Sequence, residues 1–315
     1  MRPTIHDTCY RSLAWVLKPK CHVGGSFMKS DITVVGLGAM GSALATALLD
    51  AGRNVTVWNR SPDKMMPLQE SGAQGANDLS EAISASPKTV ICLLNYSTTN
   101  ALFETPKVSK AVAGRNIIQL GTSSPQESQD SKTQFNEWGA GYLDGTIMCW
   151  PGNIGKPSGR IAVAGDSTAF SECDGDLNIL AGDMRYLGSN VRSAATLELA
   201  FLARLLGIIF GSIHGALVCE AEGVPVSEFT SILPPGDRAI PLTETIHAGS
   251  FDKISGGGAS VDVAGEAVTG LYDHAVSMGI NSELPTLMRK WVRRAQDAGF
   301  GSQETAAVIK ILRKS

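Results

Sequence analysis

Histidine and cysteine are scarce in this chain of 315 residues, and neither is grouped. Cys9, Cys21, Cys92, Cys149, Cys173 and Cys219 are scattered without CxxC spacing, and His6, His22, His214, His247 and His274 form no HxxxH pair. This excludes a zinc site of ordinary ligand spacing; Cys21-His22 alone is no ligand set, and no metal is expected. It also argues against a disulfide framework and for reduced thiols in an intracellular, cytoplasmic protein. Aromatics are 6% of the chain and are not interleaved with basic residues. With a net charge of −3 and no basic stripe, nucleic acid is not an expected partner. No run of 18 apolar residues is read as a membrane span. What remains, 43% hydrophobic and 18% charged residues, is an ordinary globular composition with length for about two domains.

Residues 1–29 read as an extension outside the fold. Arg2, Arg11, Lys18 and Lys20 outnumber the single acid Asp7, and the apolar patch Leu13–Leu17 is short for a secretory signal. The composition also suits a mitochondrial transit peptide, but a start at Met28 with upstream extension is the preferred reading. From Ile32 the pattern is strand alternating with helix: strands at Ile32–Gly36, Asn54–Trp58, Thr89–Leu94, Asn116–Leu120, Tyr142–Asp144 and Ile161–Ala164, and helices at Ser42–Ala51, Lys64–Glu70 and Gln126–Trp138. That predicts an α/β unit over 30–190, a doubly wound parallel sheet of the Rossmann kind. Residues 191–315 are predicted all-α. Their first helix, Ala194–Glu222, is long and so apolar that burial within one chain is difficult, which predicts a second copy packed against it. Val261–Met278 and Leu284–Ala298 are further expected helices.

Gly36-Leu37-Gly38-Ala39-Met40-Gly41 is a GxGxxG turn that follows a strand and opens a helix, the context a dinucleotide site needs. The glycines let the backbone approach a pyrophosphate, and the helix N-terminus offers N–H donors to it. An NAD site carries an acid at the end of the second strand; here stand Asn59, Arg60 and Ser61, with Lys64 one turn on. Those side chains suit a 2′-phosphate, so NADPH is the expected cofactor. Leu93-Leu94-Asn95 and Gly121-Thr122 are expected to complete the cofactor site at the ends of later strands.

The segments VVGLGAMGSALATALL, VTVWNRS and VICLLNY resemble the β-hydroxyacid dehydrogenase superfamily, which includes 6-phosphogluconate dehydrogenase. Within it, Tyr142–Met148 with Trp150-Pro151-Gly152-Asn153-Ile154-Gly155 resembles the imine reductases and fungal reductive aminases, as does the tail around Met278–Pro285. The resemblance covers about residue 30 to the end. It implies a Rossmann unit joined by the long helix to a helical dimerisation and substrate domain, interlocked in a homodimer. It also implies reduction of C=N bonds with NADPH, on a small-molecule imine or on a carbonyl plus an amine.

Glu198 is the only acid in the first half of the long helix. An acid there is either functional or paired, with Arg192 or Arg204 as candidate partners. The resemblance places Glu198 where the parent dehydrogenases carry a catalytic lysine. A carboxylate there attracts a cationic iminium that a lysine would repel, and a raised pKa would let it donate a proton. The resemblance also places Thr122, a candidate catalytic residue, where the reductive aminases have an asparagine, and Leu206 where they have a tyrosine. These departures favour reduction of a preformed imine over coupling of amine with ketone. Met148, Trp150, Leu206 and Tyr272 are expected around the substrate pocket, although Met148 and Trp150 as plain core would look the same; Asp262 shares the Tyr272 helix. The competing readings are a 3-hydroxyisobutyrate-like 3-hydroxyacid dehydrogenase and a catalytically degenerate NADP-binding protein.

Overall fold

The computed structural model describes residues 30–254 and 258–313. The N-terminal extension and part of the Gly256–Gly258 tract therefore lie outside the described residues. The chain runs β1 (Ile32–Val35), α1 (Ala39–Asp50), β2 (Val55–Trp58), α2 (Met66–Glu70), β3 (Gln74–Gly75), α3 (Leu79–Ser84) and β4 (Lys88–Ile91). It continues with α4 (Tyr96–Phe103), α5 (Pro106–Ala111), β5 (Asn116–Gln119), α6 (Pro125–Glu137), β6 (Gly141–Ile147), β7 (Arg160–Gly165), α7 (Ser167–Leu180) and β8 (Asp183–Tyr186). The helical remainder is α8 (Arg192–Ala221), α9 (Val226–Ser231), α10 (Ile240–Ala248), α11 (Val261–Met278), α12 (Glu283–Asp297) and α13 (Ile309–Leu312).

The strands form one sheet in the order β3-β2-β1-β4-β5-β6-β7-β8. Each is short, and successive side chains serve opposite faces. Ile32 and Val34 of β1 pack with Leu44 and Leu48 of α1, while Val35 joins Phe103, Phe135 and Tyr142 on the other side. Both faces are buried, as a helix-covered parallel sheet requires. The strand order reverses between β1 and β4, so a crevice opens past their C-terminal ends. Two strands depart from the expected parallel sheet: β7 pairs antiparallel with β6, and β8, parallel to β7, runs the same reversed way. The connection between β6 and β7 holds only the 3₁₀ turn Pro151–Asn153 and no crossover helix, so the chain can only turn back.

Helix α8 begins two residues earlier than expected and ends one earlier. Its first half lies on β6, β7 and α6, and its second half packs with α9, α10 and α11. Leu206, Phe210 and Ile213, at i, i+4 and i+7, face the helical core with Leu242, Val268, Met288 and Val292. By length and composition α8 matches a membrane span, with mean hydropathy 1.8. Charged Glu198 and Arg204 interrupt it, which is why no uncharged 18-residue run is seen in the sequence. Only 28% of its apolar window is buried within this chain.

Elements beyond those expected include α3, α5, α7, β8, α9 and α10; α7 carries a helical apolar period at Ala169, Cys173, Leu177 and Leu180, while each of the others has nine residues or fewer. The region read as strand to Leu94 ends instead at Ile91, and Tyr96 opens a helix.

Gly145 holds β6 against its neighbours. A Cβ there would meet Leu120 Cδ2 at 2.7 Å and Val163 Cγ1 at 2.8 Å. Gly145→Ala is therefore expected to destabilise the fold by about 1–3 kcal/mol, read as a lower midpoint in chemical denaturation; an unchanged midpoint would show that β6 has room to shift.

Candidate active site

Helix α1 starts directly from the glycine turn. Gly36 has φ 91°, a conformation that side chains resist, and a Cβ on it would strike the Cys92 carbonyl. Gly38 is different: a Cβ there would meet nothing within 4 Å. The chain itself does not need glycine at Gly38, so the open space beside it is room for a ligand. Gly38 is the N-cap of α1, with no side-chain cap and no acid in the first turn. The free N–H groups of this turn suit an anion.

The space is a cavity of about 470 Å³ lined by Gly36–Gly41, Asn59, Arg60, Ser61, Lys64, Leu93 and Leu94, among others. Asn59 has a structural task within it. It accepts the Leu37 N–H at 2.9 Å and donates to the Ser61 carbonyl at 3.1 Å, tying the two cofactor loops together. Arg60, Ser61 and Lys64 are exposed, and among the described residues neither cation is paired with an acid. Asn95 is outside the lining; its side chain caps α4 by accepting from the Thr98 N–H at 2.9 Å. Cys92 borders the cavity, but burial pushes its thiol up to about 11, so it is no thiolate nucleophile.

Past the end of β5, Gly121-Thr122 meets the first half of α8. Thr122 Oγ1 donates to Glu198 Oε1 at 3.2 Å. The two arginines considered as structural partners are elsewhere: Arg192 donates to Gln126 Oε1 at 2.9 Å, and Arg204 is exposed on the helix. Burial raises the Glu198 carboxyl above the usual carboxylate range, while the hydroxyls of Thr146 and Thr122 pull partly the other way. Thr146 is buried and its hydroxyl has no formed hydrogen bond among the described residues; its pull on Glu198, the larger of the two, is one of proximity.

The strand that brings Thr146 also brings a group not singled out from the sequence. Tyr142, Asp144 and Thr146 lie two apart and share one face of β6. Asp144 is 1% exposed. It accepts from the Tyr96 hydroxyl on Oδ1 and from Ser128 Oγ on Oδ2, the latter at 3.0 Å. Burial pushes its carboxyl up to about 7, against those two donors, and the charge of Glu198 pushes the same way. A polar residue at each alternate position of an otherwise apolar strand is the sequence signal for this row.

The expected pocket residues do not gather together. Trp150 is exposed beneath the Arg238 guanidinium, 5.4 Å from the ring centroid. It lines a second cavity of about 400 Å³ with Leu205, Ile209, Pro241 and Glu304. Met148, half-buried, ends the same segment. Leu206 is 3% exposed in the helical core and lines neither cavity, because α8 turns Leu206 into that core and its neighbour Leu205 toward the second cavity. Tyr272 lies under Arg289, 3.3 Å from guanidinium carbon to ring centroid, and Asp262 accepts from Gln296 Nε2 at 2.9 Å; neither reaches the cofactor cavity of its own chain.

Two family models match this chain: the NAD binding domain of 6-phosphogluconate dehydrogenase over residues 31–188, and the C-terminal domain of NADPH-dependent reductive aminase-like proteins over residues 190–314. The chain belongs to the imine reductase and reductive aminase family. An NADPH-dependent reductive aminase of Aspergillus oryzae is 27% identical over 292 residues, covering 90% of this chain and 97% of that one. The reductive aminase of Aspergillus terreus, solved with NADPH and ethyl levulinate, is 30% identical with a TM-score of 0.61, covering 90% and 100%. Members of the wider superfamily match too, including L-threonate dehydrogenase of Pectobacterium atrosepticum, 22% identical over 284 residues and covering 89% and 93%. The chain is thus an NAD(P)-dependent oxidoreductase by family.

If Arg60 grips a 2′-phosphate, Arg60→Ala should weaken NADPH binding roughly thirtyfold, about the worth of one charged hydrogen bond, and leave NADH nearly unchanged. Equal weakening of both, measured by fluorescence titration, would remove the phosphate assignment.

Proposed function

We propose that this oxidoreductase uses NADPH to reduce the carbon–nitrogen double bond of an imine. The observation that carries the reading is Glu198: a carboxyl on the long helix, held by Thr122 and by no cation among the described residues, where a hydroxyacid dehydrogenase needs a lysine. NADPH, when bound, supplies a hydride. The backbone of Gly36–Gly41 would hold its pyrophosphate, and Arg60, Ser61 and Lys64 its 2′-phosphate. Glu198 is suited to the nitrogen end of the substrate. In its charged form it attracts an iminium; in the protonated form that burial favours it donates a proton to the nitrogen. Thr122 fixes one carboxyl oxygen and so the direction in which the group faces.

Leu206 and Thr122 offer fewer hydrogen bonds than the reductive aminase pattern. Reduction of a preformed imine is therefore favoured over coupling of a ketone with an amine. A 3-hydroxyacid dehydrogenase fits less well, because a carboxylate in place of the lysine repels an anionic hydroxyacid.

A second copy of the chain is part of the proposal. Leu197 and Val218 on α8, Val276 and Met278 on α11, and Leu284 and Leu287 on α12 are all exposed. Apolar area of that extent on one helical unit suits a homodimer in which helices of the partner complete the substrate pocket.

Glu198→Gln should lower turnover of a cyclic imine by about a hundredfold, the typical worth of a positioned acid, with NADPH affinity unchanged. Unchanged turnover would assign Glu198 to structure alone.

A further inference from the structure

The buried carboxyl of Asp144 is outside the lining of the cofactor cavity and takes no part in the reaction as described. It is held from two sides. Tyr96, the first residue of α4, donates to Oδ1, and Ser128, one turn into α6, donates to Oδ2 at 3.0 Å. Tyr142 donates in turn to the Tyr96 hydroxyl at 3.5 Å, and Ser123 and Ser128 share a hydrogen bond of 2.9 Å. Tyr96, Ser123, Ser128, Tyr142 and Asp144 are all buried. A carboxyl in such a place costs free energy unless donors meet it. Here the donors come from the starts of two different helices.

Those helices begin where two loops end. Residues 92–95 lead from β4 into α4, and residues 120–124 lead from β5 into α6. The loops are packed together: a Cβ on Gly121 would stand 3.3 Å from the Leu93 carbonyl oxygen and 3.9 Å from the Tyr96 ring. Leu93 and Leu94 line the cofactor cavity, as do Thr98 and Leu102 of α4. Thr122, in the second loop, holds Glu198. Asp144, on the next strand, is thus a single acceptor behind both loops. A separate bond, from Gln119 Nε2 to Thr99 Oγ1 at 3.0 Å, keeps α4 docked on β5.

Sheet order gives these loops their place along the cofactor. Asn59–Lys64 follows β2, Gly36–Gly41 follows β1, and β4 and β5 continue the sheet beyond β1. With the 2′-phosphate past β2 and the pyrophosphate past β1, the nicotinamide half of NADPH extends toward the ends of β4 and β5. We propose that Asp144 is a positioning residue for that half: by holding Tyr96 and Ser128 it fixes the separation of the loops after β4 and β5. The adenosine half depends on Gly36–Gly41, Arg60, Ser61 and Lys64, none of which Asp144 touches. The inference concerns the cofactor and holds whichever substrate is reduced, so it can fail without the imine reading failing, and the reverse.

The test is calorimetric titration of the full chain with NADPH and with 2′-phospho-ADP-ribose, which lacks the nicotinamide. The unaltered protein should bind NADPH the more tightly of the two. Tyr96→Phe removes one donor to Asp144, and Asp144→Asn removes the charge that both donors meet. In each, the preference for NADPH should shrink about tenfold, near the worth of one hydrogen bond to a charged group, while 2′-phospho-ADP-ribose binds as before. Ser128→Ala, which frees the loop after β5 instead, carries the test if either variant does not fold. A purely structural Asp144 would lower the midpoint of denaturation and leave the ratio of the two affinities unchanged. An unchanged ratio, an equal loss of both ligands, or no preference for NADPH in the unaltered protein overturns the inference.

Discussion

Carboxyl groups lose their hydration when they are buried, and among the described residues no cation pairs with Glu198 or Asp144. Asp144 of β6 is buried and Glu198 of α8 half-buried, and burial is the leading cause of the upward shift in each. Hydroxyl groups supply the compensation instead: Thr122 for Glu198, Tyr96 and Ser128 for Asp144. Much of the surrounding architecture serves that arrangement. The β5–α6 loop must end where Thr122 reaches α8, α6 must present Ser128 one turn in, and β6 continues past the end of β5 to carry Thr146 toward α8. Gly145, between them, keeps the strand close to Leu120 and Val163.

The cofactor cavity obeys a separate constraint. It lies at the switch point between β1 and β4, where strand order reverses and ligands gather in open α/β sheets. Gly36 is required by the backbone, whereas Gly38 is required by nothing in the chain. Such a residue is best understood through what it leaves room for. Asn59 fixes the distance between the two loops that border this space, and Arg60 and Lys64, paired with no acid among the described residues, line it. The dinucleotide cradle thus draws on the loops after β1, β2 and β4, and the carboxyl Glu198 is met by the loop after β5.

Local rules explain what was legible from the amino-acid order. The glycine turn, the strand before it and the helix after it form from neighbours in sequence, and so did the long helix and α11, whose limits agree with the apolar period. The paired α/β and all-α character follows from those elements. Legibility failed where tertiary partners decide. Leu93 to Tyr96 has strand composition, but Asn95 caps a helix and Tyr96 goes inward to reach Asp144, a residue 48 positions away. Leu206 and Leu205 are indistinguishable in composition; only the rotation of α8 sends one to the helical core and the other to a cavity. Asp144 stood within a motif rich enough to suggest the family, yet its burial depends on three elements that the motif does not contain.

The central claim is that a half-buried carboxyl in place of a lysine directs this NADPH-binding fold toward C=N bonds. It is tested most directly by following NADPH absorbance with a panel of cyclic imines, alongside NADP⁺ reduction with 3-hydroxyacids. The account predicts consumption of NADPH with at least one imine and no reaction with the hydroxyacids. Oxidation of a 3-hydroxyacid while every imine stays untouched would contradict it.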